Sequence, residues 1–227
     1  NGLGAFDGQD WKFFSTSDGL PPNPVRALAD DAGGNLWIGT GGVGLFVLRD
    51  GKISASTAPV TNVSCLLIDR DNALWVGTSE HGLARFEKGK WTSYASQDNL
   101  PSDIGYLVED DQNNLWLGSY EGLIRVSVTN QVDGTAKILA TRLFGKSDGL
   151  PAQECSAGAQ PAAIRAHDGR LWFPTIAGLI SVRPENLRPN TNPPAVLIES
   201  VRVDGVDQQT NRLSPAWNHP VILKPGN

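Results

Sequence analysis

Short apolar runs separated by polar turns recur along the whole chain and predict an all-β protein. The clearest run reads NLWIGT at 35–40, and related runs stand at 73–78 (ALWVGT), 114–119 (NLWLGS) and 170–175 (RLWFPT). Both alternate positions of these runs are apolar, which is typical of a strand that is covered on both faces. We therefore expect sheets that are packed between other sheets.

Fixed offsets around these runs define a repeat of four short strands. The repeat is marked by Trp37, Trp75, Trp116 and Trp172, whose spacings are 38, 41 and 56 residues. A two-residue turn pair suited to a tight hairpin precedes each tryptophan, and a Gly-Leu pair follows it. The turn pairs are Gly33-Gly34, Asp71-Asn72, Gln112-Asn113 and Asp168-Gly169. In the first copy the strands read VRALADD, NLWIGT, GLFVLRD and KISAST, and the longest interval fits a lengthened outer hairpin at 126–146.

Four-stranded antiparallel units of about 40 residues, stacked face to face, are the blades of a β-propeller. Each tryptophan would supply a large apolar area to the neighbouring blade, and the Thr or Ser that follows would satisfy a backbone group. The intervening Gly39, Gly77 and Gly118 would let a neighbouring backbone approach closely. Pro174 takes the place of this glycine in the fourth copy, so we expect an irregular blade there. A β-sandwich is the alternative fold, but the period and the fidelity of the motif favour the propeller.

The two ends of the chain are atypical of a closed propeller. Residues 2–16 align with 82–96, so residues 1–16 are interpreted as the outer hairpin of a preceding blade. We predict four complete blades at about 17–57, 58–96, 97–147 and 148–183, a proline-rich linker at 184–194 and the first strands of a β-sandwich domain at 195–227. The sequence contains no methionine, as expected for an excised piece or a processed product. We expect the open blade face to be covered by further blades of a longer polypeptide or by a second copy in a homodimer.

Composition excludes some partners. The net charge is −5 and there is no run of Lys or Arg, which argues against nucleic acid and anionic membranes as partners. No apolar run approaches the roughly 20 residues of a membrane span. Cys65 and Cys155 are expected to be free, buried thiols, and no metal-ligand spacing or cofactor motif is present.

The segment DGLPPNPVRALADDAGGNLWIGTGGVGLFVL resembles the two-component regulator propeller repeat. The GLP entry recurs at Leu100-Pro101 and Leu150-Pro151, whereas the second unit has Ala58-Pro59. The segment PPAVLIESVRVDGVD resembles the start of the triple-tyrosine immunoglobulin-like domain that follows such propellers. The resemblance implies the periplasmic sensor region of a membrane-bound histidine kinase, often a hybrid kinase that responds to glycans. On this basis we expect a non-catalytic ectodomain that binds an oligo- or polysaccharide and relays the signal to a kinase absent from this chain.

In a propeller, the connections between blades and the turns between second and third strands emerge on one face. On that face the sequence places an aromatic side chain among carboxylates, which suits sugar hydroxyls. The candidate ligand-binding residues are Asp18, Glu80, His81, Asp98, Asp103, Tyr120 and Glu121, with Asp148 on the same face. The alternative is that each of them is simply a solvated loop residue.

Other functions remain open. Asp-rich turns at 30–35, 69–72 and 109–114 hint at calcium, but turn chemistry explains these residues equally well. The histidines fall in different places, at His81, His167 and His219, so no catalytic set is indicated. A scaffold for protein partners is the first alternative to a sensor. A propeller lyase or glycan-active enzyme is the less favoured one.

Overall fold

The computed structural model describes residues 2–95, 98–131, 135–155, 160–187, 201–203 and 206–208. The chain divides into two compact units, Asn1–Leu187 and Arg188–Asn227. The first unit is built almost entirely from antiparallel sheets whose strands follow one another in sequence. Its short 3-10 turns lie at Thr16–Asp18, Lys146–Asp148 and Pro184–Asn186.

The sheets follow the sequence repeat. A hairpin of β1 (Leu3–Phe6) and β2 (Trp11–Phe14) comes first. Sheet 1 contains β3 (Val25–Asp30), β4 (Leu36–Thr40), β5 (Gly44–Arg49) and β6 (Lys52–Ala55). Sheet 2 contains β7 (Val63–Ile68), β8 (Leu74–Thr78), β9 (Leu83–Glu87) and β10 (Lys90–Tyr94). Sheet 3 contains β11 (Tyr106–Glu109), β12 (Asn114–Ser119), β13 (Gly122–Asn130) and β14 (Ala136–Phe144). Sheet 4 contains β15 (Ile164–Arg165), β16 (Leu171–Thr175) and β17 (Gly178–Val182).

The strands and turns of the first three sheets confirm the sequence prediction closely. The lengthened outer hairpin is formed by β13 and β14, which have nine residues each. The second residue of every predicted turn pair has a positive φ, at 77° in Gly34, 61° in Asn72, 61° in Asn113 and 78° in Gly169. These turns need the left-handed conformation that Gly and Asn tolerate best.

The core consists of separate apolar layers, one at each junction between consecutive sheets. Leu3 and Phe14 of the first hairpin pack with Ile38 and Ile53 of sheet 1. Further layers join sheets 1 and 2, sheets 2 and 3, and sheets 3 and 4. Each sheet is therefore covered on both faces wherever it has two neighbours, as in the blades of a propeller.

The first strands of successive sheets lie side by side, so the sheets fan out from a common axis. Gln160, in the connection that leads to sheet 4, reaches back across this axis. Its side-chain amide donates to the carbonyls of Leu28 and Leu66 at 3.0 and 3.1 Å and accepts the Leu66 N–H at 3.1 Å. The inner strands of sheets 1 and 2 are thus tied to the start of sheet 4.

Sheet 4 departs from the predicted four strands, because the described residues provide only three. Its inner strand, β15, has two residues, which pair with Trp172 and Leu171. Pro174 gives a physical reason for the short pairing. In sheet 3 its counterpart Gly118 accepts a hydrogen bond from Gly105 on the inner-strand side. A residue's N–H points to the same side as its C=O, so proline removes a donor where β15 would have continued. The expected irregularity at Pro174 is confirmed.

The second unit contributes two short paired strands, β18 (Val201–Val203) and β19 (Val206–Gln208). Most of the predicted linker and sandwich strands lie outside the described residues. In the part of the chain that the structure describes, no helix is long and apolar enough to span a membrane.

Both cysteines are free and buried, as predicted. Burial raises the pKa of the Cys65 thiol to about 12 and also raises the pKa of Cys155. Because the thiolate is the reactive form, we expect neither thiol to react with Ellman's reagent in the folded protein, and both to react after unfolding in denaturant. The Cys155→Ser variant assigns the signals. A rapid reaction of Cys65 in the native protein would contradict its burial.

Candidate functional site

The turns between second and third strands are held in a fixed shape by the hydroxyl of each repeat. The hydroxyls of Thr40, Thr78, Ser119 and Thr175 donate to the carbonyls of Gly44, Gly82, Gly122 and Gly178 at 2.7, 3.0, 3.2 and 2.8 Å. This confirms the predicted role of the hydroxyl. It also means that the turn tips at 41–43, 79–81, 120–121 and 176–177 project from a rigid framework. We call the surface formed by these tips and the segment 101–104 the connection face.

The tips differ in chemistry although their framework is the same. Val43 is exposed in the first turn and Ile176 in the fourth. The second turn exposes Glu80 and His81, and the third exposes Tyr120 and Glu121. Tyr120 has 69% of its surface exposed. Variable side chains on a rigid scaffold are the usual arrangement of a recognition surface.

The second and third turns are linked through the segment 101–104. Gly82 N donates to the carbonyl of Ser102 at 2.8 Å, and Ile104 N donates to the carbonyl of Thr78 at 2.8 Å. The half-buried Asp103 carboxylate accepts the backbone N–H of Tyr120 at 2.8 Å. Glu80, His81, Tyr120 and Glu121 therefore stand on neighbouring turns of one continuous surface, and Asp103 positions the tyrosine turn.

Two further candidate residues, Asp18 and Asp98, belong to local turns. The Asp18 carboxylate accepts the Ser15 N–H at 2.8 Å, and Asp98 accepts the Ala95 N–H at 3.1 Å. Asp148 makes the equivalent bond to Gly145 at 3.1 Å. The Ser15 N–H holds the pKa of Asp18 below its usual value. These aspartates close the turns that enter the first, third and fourth repeats. No described hydrogen bond joins Asp18 or Asp98 to the pair formed by Asp103 and Tyr120.

On the face opposite the connection face, aspartates of the Asp-rich turns accept hydrogen bonds from the repeat tryptophans. The carboxylates of Asp31, Asp69 and Asp110 accept the indole N–H of Trp37, Trp75 and Trp116 at 2.9, 2.8 and 2.9 Å. The same carboxylates accept backbone N–H groups two and four residues further on. No group of three or more His, Cys, Asp or Glu side chains within the described ranges is placed to hold a metal ion.

The Asp–Trp pair was missed by the sequence analysis, which assigned the tryptophan an apolar role only. Its signal was present as a constant spacing of six residues between the aspartate and the tryptophan in three repeats. The fourth repeat has Ala166 at the aspartate position. Trp172 is half-buried, whereas the other three repeat tryptophans are buried.

A cavity of about 300 Å³ lies near the axis, lined by the inner strands of sheets 2 and 3 and by residues 160–165. Cys65 and Tyr106 contribute to its wall. Burial raises the pKa of both groups, so both stay protonated at neutral pH.

Two of the histidines are far apart in the fold, because His81 lies on the connection face and His167 in a turn of the opposite face. His219 lies outside the described residues.

Two segments of the chain, each within one repeat, match a known family model. Residues 19–42 and 57–80 match the family model described as two component regulator propeller. No match was found among curated proteins.

Three solved structures share the fold at low sequence identity. The extracellular domain of BT3049 of B. thetaiotaomicron, described as a hybrid two component system, matches 91% of this chain and 28% of its own length, with 22% identity and a TM-score of 0.70. The extracellular domain of BT4673 of the same organism matches 80% and 24%, with 19% identity and a TM-score of 0.61. PorZ of Porphyromonas gingivalis, described as an essential surface component of the type-IX secretion system, matches 80% and 29%, with 16% identity and a TM-score of 0.55. The chain spans less than a third of the length of each of these proteins.

Proposed function

We propose, on the premise that the chain carries repeats of the two component regulator propeller family, that it is the ligand-binding part of an extracytoplasmic two-component sensor. In this proposal the chain performs no catalysis. It binds an oligosaccharide on the connection face and relays that event, within a longer periplasmic protein, to a histidine kinase. The fold that it shares with the extracellular domains of BT3049 and BT4673 supports the location outside the cytoplasm.

The observation that carries the proposal is the pair of linked turns on the connection face. Tyr120 offers an exposed ring that can stack on the apolar face of a pyranose. Glu121 in the same turn and Glu80 in the neighbouring turn offer carboxylate oxygens that can accept hydrogen bonds from sugar hydroxyls. Asp103 holds the Tyr120 turn in place, so less ordering is needed when the ligand binds.

The chemistry of the described residues favours binding over turnover. General acid–base catalysis requires titratable groups that converge on one pocket. His81 and His167 lie on opposite faces, and the buried thiols of Cys65 and Cys155 have raised pKa values. A thiol that remains protonated is a poor nucleophile.

A protein partner is the second candidate for the connection face. Val43 and Ile176, the tips of the outer two turns, are 52% and 64% exposed. Apolar side chains at the edge of a polar surface fit a protein better than a sugar. The two candidate ligands should use different turns of the connection face. Binding of a sugar should depend on the second and third turns, whereas binding of a protein should depend on the first and fourth.

Replacing Tyr120 with alanine should weaken oligosaccharide binding at least about tenfold, or ~1.4 kcal/mol, because the stacking surface is lost. Glu121→Gln should weaken it less, since one carboxylate acceptor is exchanged for an amide. Screening the chain on an oligosaccharide array, followed by calorimetric titration with the best sugar found, measures both effects. Neither change should alter the unfolding midpoint, because both side chains are exposed.

Phe13→Ala is the matched control, because this aromatic side chain is 73% exposed on β2 and belongs to none of the turns that form the connection face. It should leave sugar affinity unchanged. Equal affinity of the Tyr120→Ala variant and the unaltered chain would overturn the proposed site. An array without any bound sugar would remove the glycan proposal altogether.

A further inference from the structure

The turn that carries Tyr120 is anchored by a charged group, unlike the other turns of the connection face. In the first, second and fourth repeats the first residue of the tip donates its N–H to a backbone carbonyl, in the pairs Gly41 to Pro24, Ser79 to Asn62 and Ile176 to Glu154. In the third repeat Tyr120 donates instead to the Asp103 carboxylate at 2.8 Å. The third repeat therefore holds a negative charge next to the residue with the exposed ring.

The Asp103 carboxylate can accept more hydrogen bonds than it receives. Within the described residues, the Tyr120 N–H is its one hydrogen-bond donor, and it belongs to no ion pair. An ionised carboxylate has two oxygens that together accept about four hydrogen bonds. Because the Asp103 side chain is only half-buried, its remaining acceptor positions are available to a ligand at this surface.

Two more carboxylates of the connection face lack a basic partner. Glu80 in the second turn and Glu121 in the third are exposed, and neither forms an ion pair with a residue that the structure describes. The acidic turns of the opposite face differ, because there Glu109 pairs with Arg70, Asp110 with Arg125 and Asp111 with Arg165. The chain thus compensates its acidic groups on the opposite face, whereas the described residues leave those of the connection face uncompensated.

Basic side chains are scarce around the second and third turns. The segments that form the connection face contain no Lys or Arg, and His81 is their one histidine. Arg26 lies at the first turn, where its Nε would be 2.8 Å from a Cβ placed on Gly41. The carboxylates therefore dominate the electrostatic potential over the second and third turns, which attracts cations and repels anions.

We infer that the connection face selects its oligosaccharide by charge, and that it takes a sugar with protonated amino groups in preference to a neutral one and excludes uronic acids. The inference rests on the proposed function, because it concerns the same two turns. A protonated amine donates up to about three hydrogen bonds, and such bonds to carboxylates are about twice as strong as those between neutral groups. Next to the Tyr120 ring, the same amine is attracted to the π-electrons.

Acidic sugars would meet the opposite situation. A uronic acid would bring its carboxylate against Asp103, Glu80 and Glu121, with no Lys or Arg in these segments to pair with it. Like charges that are brought together at a binding surface cost affinity and exclude the wrong ligand. A neutral sugar falls between the two, because its hydroxyls donate to carboxylates without adding a charge.

Calorimetric titration of the full chain with matched tetrasaccharides tests the inference. The β-1,4-linked tetramers of glucosamine, glucose and glucuronic acid share the same backbone and differ in charge. At low ionic strength, and at a pH where the sugar amines are protonated, the glucosamine tetramer should bind at least about tenfold more tightly than the glucose tetramer, and the glucuronic acid tetramer at least about tenfold more weakly. The N-acetylglucosamine tetramer, whose nitrogen carries no charge, should show no such gain. High salt should reduce these differences, because ions screen exposed charges.

Asp103→Asn separates the charge from the structure of the turn. The amide oxygen of asparagine can still accept the Tyr120 N–H, so the turn is kept while the charge is lost. The ratio of the affinities for the glucosamine and glucose tetramers should fall at least about threefold. Asp50→Asn is the matched control, because it removes an exposed carboxylate from the turn between β5 and β6, and it should leave this ratio unchanged. Circular dichroism verifies that both variants are folded.

The outcomes distinguish this inference from the proposed function. A glucosamine tetramer that does not bind, equal affinities for the glucosamine and glucose tetramers, or a ratio that Asp103→Asn leaves unchanged would each overturn the charge selection. A uronic acid oligosaccharide that binds most tightly on the array, and whose binding depends on Tyr120, would support the sugar site and contradict only the charge selection.

Discussion

Replacing Asp110 with alanine should lower the free energy of unfolding by about 4 kcal/mol. The carboxylate is completely buried and accepts hydrogen bonds from Trp116 Nε1 at 2.9 Å, Gln112 N at 2.8 Å, Asn114 N at 2.9 Å and Asn114 Nδ2 at 3.0 Å. Alanine would leave all of these donors without their acceptor inside the protein, where water is a poor substitute. The shift of the midpoint in urea or heat denaturation measures the loss.

Substitutions of two other aspartates serve as comparisons for the Asp110→Ala variant. Asp31 accepts the same set of donors but is only partly buried, so Asp31→Ala should cost less than Asp110→Ala. Asp168 lies in the corresponding turn of sheet 4 with 53% of its side chain exposed, and Asp168→Ala should change the stability by no more than about 0.5 kcal/mol. Equal effects of the three substitutions would contradict the buried Asp–Trp pairing.

Gly118→Ala should destabilise the chain by about 3 kcal/mol through overpacking. A Cβ atom at this position would overlap three carbon atoms of the Tyr106 ring. Tyr106 is 2% exposed, and its ring stacks on Phe173 with centroids 5.8 Å apart, so it has little room to move. The unfolding midpoint of the variant measures the cost.

Gly145 is the matched control, because its φ is −137° and no described atom lies within 4 Å of a Cβ placed there. Gly145→Ala should change the stability by no more than about 0.5 kcal/mol. Tyr106→Ala should cost less in the Gly118→Ala background than in the unaltered chain, since the methyl group would then occupy vacated space. Additive effects of the two substitutions would show that these residues do not meet.

The local structure was predictable because it depends on signals within one repeat. Alternation and turn chemistry placed β3 to β6 within a residue or two of their observed ends. The positive φ of Gly34 and Asn72 follows from the need for a left-handed residue in each tight turn. The Thr40 hydroxyl, one position past the glycine, was correctly assigned to a backbone group, which the structure identifies as the carbonyl of Gly44.

Contacts between repeats were harder to predict, because a periodic sequence does not state which side chains of two copies meet. The motif glycine was expected to admit a neighbouring backbone. Instead, side chains fill the space: Val63 Cγ1 would be 2.5 Å from a Cβ on Gly39, and Ile104 Cγ2 would be 2.9 Å from one on Gly77. The prediction that a neighbouring group approaches the glycine closely is confirmed. The prediction that this group is backbone is wrong, because it is a side chain.

The candidate ligand residues fall into two groups. Some make contacts only with residues close to them in the sequence, whereas the contacts of others depend on the fold. Asp18 and Asp98 cap turns three residues away, which is local turn chemistry. Asp103 and Tyr120 are 17 residues apart in sequence, before β11 and after β12, and they meet because these two strands pair in sheet 3. No local sequence pattern predicts that contact. Their joint role in ligand binding therefore remains a proposal that rests on the fold.

Hydrogen exchange of the indole N–H groups, followed by NMR, tests most directly whether the sheets stack with each tryptophan held between them. The indole protons of Trp37, Trp75 and Trp116 are bonded to buried or half-buried carboxylates, so they should exchange only when the stack opens. That of Trp11, whose side chain is 62% exposed, should exchange fastest of the four. Tryptophan-to-phenylalanine variants assign the signals. A Trp116 indole proton that exchanges as fast as that of Trp11 would contradict the stacked arrangement.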